Sequence, residues 1–204
     1  MRNNLAPGIS RSRIAPSDVL KRREKVREIL GIGADDKLLV MIGSGFVKKG
    51  LSRALFAVWS LSRQQRRKTR FIVIGEDNQR PFRRLAWFLG ISKQVTFMSG
   101  RDDIDRFLFA SDLLILPAID EAAGIIILEA IVAGLPVLVT KNCGYAHYVE
   151  KSGMGEVLGQ PFRHAKAGPD ALNERFERRS EKRSHPRTSR SSQCGPSVVN
   201  SNKI

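Results

Sequence analysis

Six short apolar runs at regular spacing set the fold of this chain: LLVMIG (38–43), FIVIG (71–75), VTFMSG (95–100), DLLILPA (112–118), PVLVT (136–140) and GEVLG (155–159). A strand with one wet face alternates apolar and polar residues. These runs are nearly continuous instead, as strands covered on both faces require. Between them lie segments with helical spacing, 51–62, 81–89, 102–110 and 124–133, so a strand recurs about every 20 to 30 residues with a helix between. The pattern predicts an α/β fold, a doubly wound parallel sheet. An opening helix over 17–30 is expected, with Ser17 as its N-cap and Gly31 closing it.

Length and charge add limits. The 204 residues suit one domain of ordinary size with some extra chain. Lys and Arg number 35 against 20 Asp and Glu, a net +15 that points to polyanions: phosphorylated ligands, nucleic acid or anionic lipid. Residues 163–204 carry ten basic and four acidic residues, and the Ser-rich ending has neither hydrophobic period, so this tail is expected to be disordered. No run approaches the roughly 18 apolar residues of a membrane span, and the opening MRNNLAPGIS has no apolar block of a secretory signal. A soluble, cytoplasmic chain is expected. Cys143 and Cys194 are too few for a zinc site or a disulfide scaffold.

In open α/β sheets ligands bind beyond the carboxyl ends of the strands, which singles out two loops. The first, GSGFVKKG, holds Gly43, Gly45, Lys48, Lys49 and Gly50 ahead of a helix start. It fits neither a Walker loop, since Leu51 stands where the lysine belongs, nor G-x-G-x-x-G, since Lys48 takes the third glycine position. A Gly-rich turn with two ammonium groups suits a diphosphate; a solvated basic turn is the bland reading. The second, PAIDEAAGIIILEAIVAG, places Glu121 before and Glu129 within a helix whose entry, Ala122 to Gly124, is lined by small residues. A carboxylate such as Glu129 in an apolar helix needs partners, either ligand hydroxyls or an ordinary salt bridge. If helical rise held throughout, the two carboxylates would stand about 12 Å apart, too far for a glycosidase pair. Asp103-Ile104-Asp105 reads as the acidic first turn of a helix and not a metal motif. Cys143 and His147, four residues apart, read as parts of a packed loop and not as a nucleophile with its base.

The strings GSGFVKKG, GEDNQRPF, SGRDDI, LLILPAIDEAAGIIILEAIVAGLPVLVT and CGYAHYV resemble the donor-binding half of the family 4 retaining glycosyltransferases, in particular members that glucosylate the lipopolysaccharide core. The likeness covers about residues 5–162. It implies a Rossmann-like domain, the C-terminal half of a GT-B enzyme, with UDP-glucose as donor, no required cofactor or metal, and transfer to heptose with retention. Lys49 matches the family lysine at the diphosphate, with Lys48 beside it where many members have Arg. Glu121 matches the carboxylate that addresses the transferred sugar and is the catalytic candidate, and Glu129 the one that holds ribose. Ala123, Gly124 and Ile125 would offer N–H groups to phosphate or sugar, Gly43 and Gly45 would line the donor loop, and Arg101 would lie near the base.

The resemblance divides the chain into a linker remnant (1–16), a donor domain (17–162) and the tail (163–204), with the acceptor domain and its catalytic histidine missing. Past Phe162 the family pattern dissolves, as in a truncated or frameshifted product. The chain alone is therefore expected to bind its donor and transfer nothing. The lipopolysaccharide acceptor is expected only in company with an N-terminal domain, and the charge allows peripheral contact with an anionic inner membrane. A non-catalytic UDP-sugar module or split-enzyme subunit is the alternative. A nucleic-acid binder ranks last, without a helix-turn-helix or an aromatic RNA-binding pattern.

Overall fold

The computed structural model describes residues 11–159; the expected tail and residues 1–10 lie outside them. Each apolar run becomes a strand: β1 (Lys37–Ile42), β2 (Thr69–Ile74), β3 (Val95–Met98), β4 (Leu113–Leu116), β5 (Val137–Thr140) and β6 (Gly155–Leu158). All pair in parallel in the order β3-β2-β1-β4-β5-β6. Leu39 of β1 stands between Phe71 of β2 and Leu113 of β4. Strands β4 and β5 are buried along their whole length, which is why their sequences do not alternate.

The helices are α1 (Val19–Ile29), α2 (Leu51–Ser60), α3 (Arg63–Arg67), α4 (Arg80–Phe88), α5 (Ile104–Ala110), α6 (Ile125–Val132) and α7 (Ala146–Ser152). The chain steps outward from β1 to β3, then returns past β1 to β4 and continues to β6. Right-handed crossovers put α2 and α4, which pack together, on one face and α5, α6 and α7 on the other. The reversal opens a crevice at the carboxyl ends of β1 and β4, where the two candidate loops emerge.

Three details differ from expectation. Ser17 is not the N-cap of α1: the helix starts beyond Asp18, whose carboxylate caps no N–H and accepts a bond from Arg22 Nε at 2.9 Å. Gly31 does close the helix, with φ of 63°. Helix α3 was hidden by its five-residue length; it forms through a reciprocal cap in which Gln65 N–H donates to Ser62 Oγ and Ser62 N–H to Gln65 Oε1. Helix α7 takes up part of what read as a loop.

At the amino ends of β1 and β4 lies a buried charged knot. Arg23 and Arg27, one turn apart on α1, both reach Asp112, at 2.6 and 3.2 Å. Arg23 also donates to the Ser111 carbonyl at 2.9 Å, and Arg27 to the carbonyls of Gly33 and Asp36, each at 2.6 Å. Asp112 in turn accepts the Leu38 N–H of β1 at 2.8 Å. Two cations that inflate the net charge are thus interior struts, closed to any polyanion.

Candidate functional site at the switch point

The loops after β1 and β4 are knitted together. Lys48 turns its backbone inward, its carbonyl accepting the Ile119 N–H at 2.7 Å, and leaves its side chain exposed. Gly50 is required here: its φ is 74°, and a Cβ would stand 2.1 Å from the Pro117 carbonyl oxygen. Arg53, at the start of α2, donates to the carbonyls of Pro117 and Ala118 at 3.3 and 3.1 Å. This lacing fixes Lys49 against Glu121, and their side chains form a partly buried ion pair and hydrogen bond. The two residues singled out from separate loops, 72 positions apart, therefore share one point.

The β5 loop supports the same point from the other side. Glu121 bridges to Cys143, its carbonyl accepting Gly144 N–H at 3.0 Å, while the Ala123 carbonyl accepts Tyr145 N–H at 3.0 Å. Thr140 Oγ donates to the Ala118 carbonyl at 2.6 Å. Gly124 then turns the chain into α6 with φ of 77°. Beyond Glu121 the first N–H groups of α6, at Ile125 and Ile126, lack partners in the helix, as at any helix entry. With Ala123 and Gly124 carrying no bulk, these donors open beside the Lys49–Glu121 pair.

Glu129 lies further along α6, apart from that pair. Its Oε1 is 3.4 Å from Arg13 Nε, and Arg13 also lies 3.5 Å from Asp105 at the start of α5. The contact with Arg13 Nε is an ion pair without hydrogen-bond alignment. Arg13 gave no sign in the sequence, where it fell within the segment assigned to the linker; it belongs to a 3-10 turn, Arg11–Arg13, packed on α6. Arg101 is drawn into a two-pronged contact with Asp103, at 2.7 and 3.0 Å, and its guanidinium lies over the Phe107 ring. That pairing holds the Asp103 carboxyl below its ordinary range. Asp103 also meets Arg106 at 3.3 Å, which accords with an acidic helix start.

The β2 loop contributes residues quoted above without a role. Asp77 accepts the Phe46 N–H at 2.8 Å, and that bond with a second from Asn78 N–H lowers its carboxyl pKa. Ser44 Oγ accepts the Glu76 N–H at 3.0 Å, and Glu76 accepts the Gly100 N–H at 2.8 Å. The Gly-rich loop is thereby stitched to β2 and β3 as well as to β4. The only cue was the position of Glu76 and Asp77 immediately after β2. Cys143 is buried and burial pushes its thiol up, whereas His147 is exposed with Nδ1 3.0 Å from the Gly144 carbonyl, so the two form no dyad. Among the described residues no three His, Cys, Asp or Glu side chains gather as metal ligands.

Comparison with known proteins shows the family and the fold. The glycosyl transferases group 1 family model matches residues 22–188, a span running past Phe162 into the segment read as a tail. The chain is 44% identical over 158 residues to the lipopolysaccharide glucosyltransferase WaaG of Escherichia coli, covering 78% of this chain and 42% of that one. A crystal structure of WaaG superposes with a TM-score of 0.81 at 41% identity, over 85% of this chain and 46% of that chain. HepE of Anabaena, solved with UDP-glucose, shares the fold at a TM-score of 0.70 and 21% identity, over 87% of this chain and 47% of its own. The chain thus spans less than half the length of these relatives. With its family model matched over most of its length, the chain belongs to the group 1 glycosyl transferases.

Proposed function

We propose that this chain is the donor-binding part of a retaining glucosyltransferase that takes UDP-glucose and serves lipopolysaccharide core assembly, with heptose as acceptor. The observation that carries the reading is the Lys49–Glu121 pair, set in the crevice of the β1–β4 reversal beside the open start of α6. A pair in which each charge has the other as its main partner is a site ready to exchange partners. An incoming diphosphate offers Lys49 a doubly charged partner and extends into the N–H groups at Ala123, Gly124 and Ile125. Glu121, released, accepts hydrogen bonds from hydroxyls of the transferred sugar. Glu129 is well suited to ribose hydroxyls, because its contact with Arg13 neutralises charge without using an aligned hydrogen bond. Lys48 supplies a second, exposed charge, Gly43 and Gly45 let the loop backbone approach the phosphates, and Arg101, steadied by Asp103, flanks the base. The likeness to WaaG, and the UDP-glucose bound by HepE, favour this donor class.

Calorimetric titration of the chain with UDP-glucose, UDP and ADP tests the reading. Binding of UDP-glucose and UDP with little heat from ADP is expected; no heat with any of the three would refute it. A second reading concerns transfer. Holding the acceptor hydroxyl against the anomeric carbon supplies about 7 to 11 kcal/mol of barrier lowering, and this chain spans only 42% of WaaG. Radiolabelled UDP-glucose with core lipopolysaccharide lacking its first glucose should show no transfer by the chain alone and transfer after addition of the acceptor domain of a relative. Transfer by the chain alone would overturn this division of labour.

A further inference from the structure

Arg13 is shared between two carboxylates and fully taken by neither. Its Nε stands 3.4 Å from Glu129 Oε1 in α6, and its Nη1 3.5 Å from Asp105 Oδ1 in the first turn of α5. All three side chains are largely buried, with 14% of Arg13, 19% of Glu129 and 24% of Asp105 exposed, and Arg13 Nε has no hydrogen-bond partner among the described residues. Arg101, at the same end of α5, shows what an arginine does with one carboxylate in reach. It closes on Asp103 with two hydrogen bonds, at 2.7 and 3.0 Å. The same grip on Glu129 would fill both of its oxygens. Arg13 instead hangs between α5 and α6, because Asp105 draws it from the other side. Two carboxylates against one guanidinium also leave the group negative, so Glu129 keeps acceptor capacity for a neutral donor.

We infer that Asp105 is a positioning residue for the donor site: by holding the Arg13 guanidinium off Glu129, it keeps that carboxylate open to the ribose hydroxyls of the nucleotide. The inference rests on the ribose role of Glu129 proposed above. Without the charge of Asp105, Arg13 has one carboxylate left in this cluster and turns onto it, taking the oxygens that the hydroxyls need. An arginine with a carboxylate outcompetes neutral hydroxyls, since hydrogen bonds between charged groups are about twice as strong as neutral ones. The effect is confined to the ribose, because the diphosphate is held at Lys49 and the entry of α6, apart from Glu129. A merely structural role for Asp105 would instead disturb α5 against α6 and weaken every nucleotide alike.

Titration with UDP and with 2′,3′-dideoxyuridine diphosphate, which lacks both ribose hydroxyls, tests the inference. The unaltered chain should prefer UDP by about tenfold or more, the scale of one hydrogen bond to a charged group. Asp105→Asn keeps the side-chain shape and should cut that preference to about threefold or less, with affinity for the dideoxy nucleotide and thermal unfolding nearly unchanged. Adding Arg13→Met to Asp105→Asn removes the competing cation and should restore most of the preference, a rescue that a further loss of packing would not give. An undiminished preference in Asp105→Asn, equal weakening of both nucleotides, or no recovery in the double variant would each overturn the inference while leaving the ribose role of Glu129 standing. No preference in the unaltered chain would refute that ribose role, and the inference with it.

Discussion

The two edges of the sheet use the same charges in opposite ways. At the amino edge Asp112 is clamped by Arg23 and Arg27, whose remaining donors are taken by backbone carbonyls. At the carboxyl edge Lys49 and Glu121 have chiefly each other, and Glu129 holds Arg13 through a misaligned contact. A saturated ionic knot in low dielectric is locked, since removing one member strands the others without water. A thinly partnered pair at a crevice exchanges partners at little cost. The difference separates charges that hold α1 to the sheet from charges that meet a ligand.

The largest effect is expected from Asp112→Ala, which leaves two buried guanidiniums without their carboxylate and the Leu38 N–H without its acceptor. Removing one partner of such a group costs about 3 to 5 kcal/mol, read as a drop in the denaturation midpoint, with UDP affinity of the folded fraction unchanged. A loss within 1 kcal/mol, on the scale of about one ordinary hydrogen bond, would erase the contrast between the edges.

Glu129→Gln should do the reverse. It keeps the side-chain volume, leaves the fold intact and weakens UDP binding by roughly 1 to 3 kcal/mol, the scale of a hydrogen bond to a charged group. Lys49→Ala should weaken UDP and UDP-glucose by a similar amount yet spare uridine, and should flatten the salt dependence of binding. Equal harm to uridine would make Lys49 a brace of the loop, like the arginines at the other edge. Glu121→Gln should act less on UDP, and in a direction set by the pair: freeing Lys49 leaves UDP affinity unchanged or slightly higher, while UDP-glucose affinity falls relative to UDP.

The smallest effect concerns how the loop is held. Asp77→Asn removes the carboxylate that accepts the Phe46 N–H, so amide exchange at Phe46 should quicken with ligand affinity little changed. Because the folded-state pKa of Asp77 is lowered, its bond is fully present above the ordinary value of 3.8 and is lost only as pH falls below that through the lowered value. Exchange at Phe46, corrected for intrinsic rate, should therefore be insensitive to Asp77 protonation near neutrality and rise in acid.

Much of the fold could be read because its strands are buried on both faces, so LLILPA and PVLVT carry no alternation to confuse them with surface strands. The doubly wound class was legible, but the order of the strands was not, because where β4 returns beside β1 is set by packing and not by any local pattern. Helix α3 escaped because five residues leave too little periodicity and its start depends on a cap, and α7 because Cys143, Gly144 and His147 at its entry read as a packed loop. Lys49 and Glu121 were found from their places after strands, but their mutual contact depends on the packing of Gly50 against Pro117, which no local pattern encodes. Arg13 was invisible for the same reason: its partners lie 92 and 116 positions away. Nothing in the charged run KRREKVRE distinguishes Arg23 and Arg27 from its other cations. Only the fold shows that their side of α1 faces Asp112.

Amide chemical shifts of the labelled chain, recorded during titration with UDP, compare the two edges in one experiment. Perturbations should concentrate in residues 43–50 and 121–129, with loss of the Lys49–Glu121 contact, while Leu38, Ser111 and Asp112 at the amino edge stay still. Shifts centred on the amino edge, or an unchanged spectrum at saturating UDP, would contradict the assignment of the donor to the β1–β4 crevice.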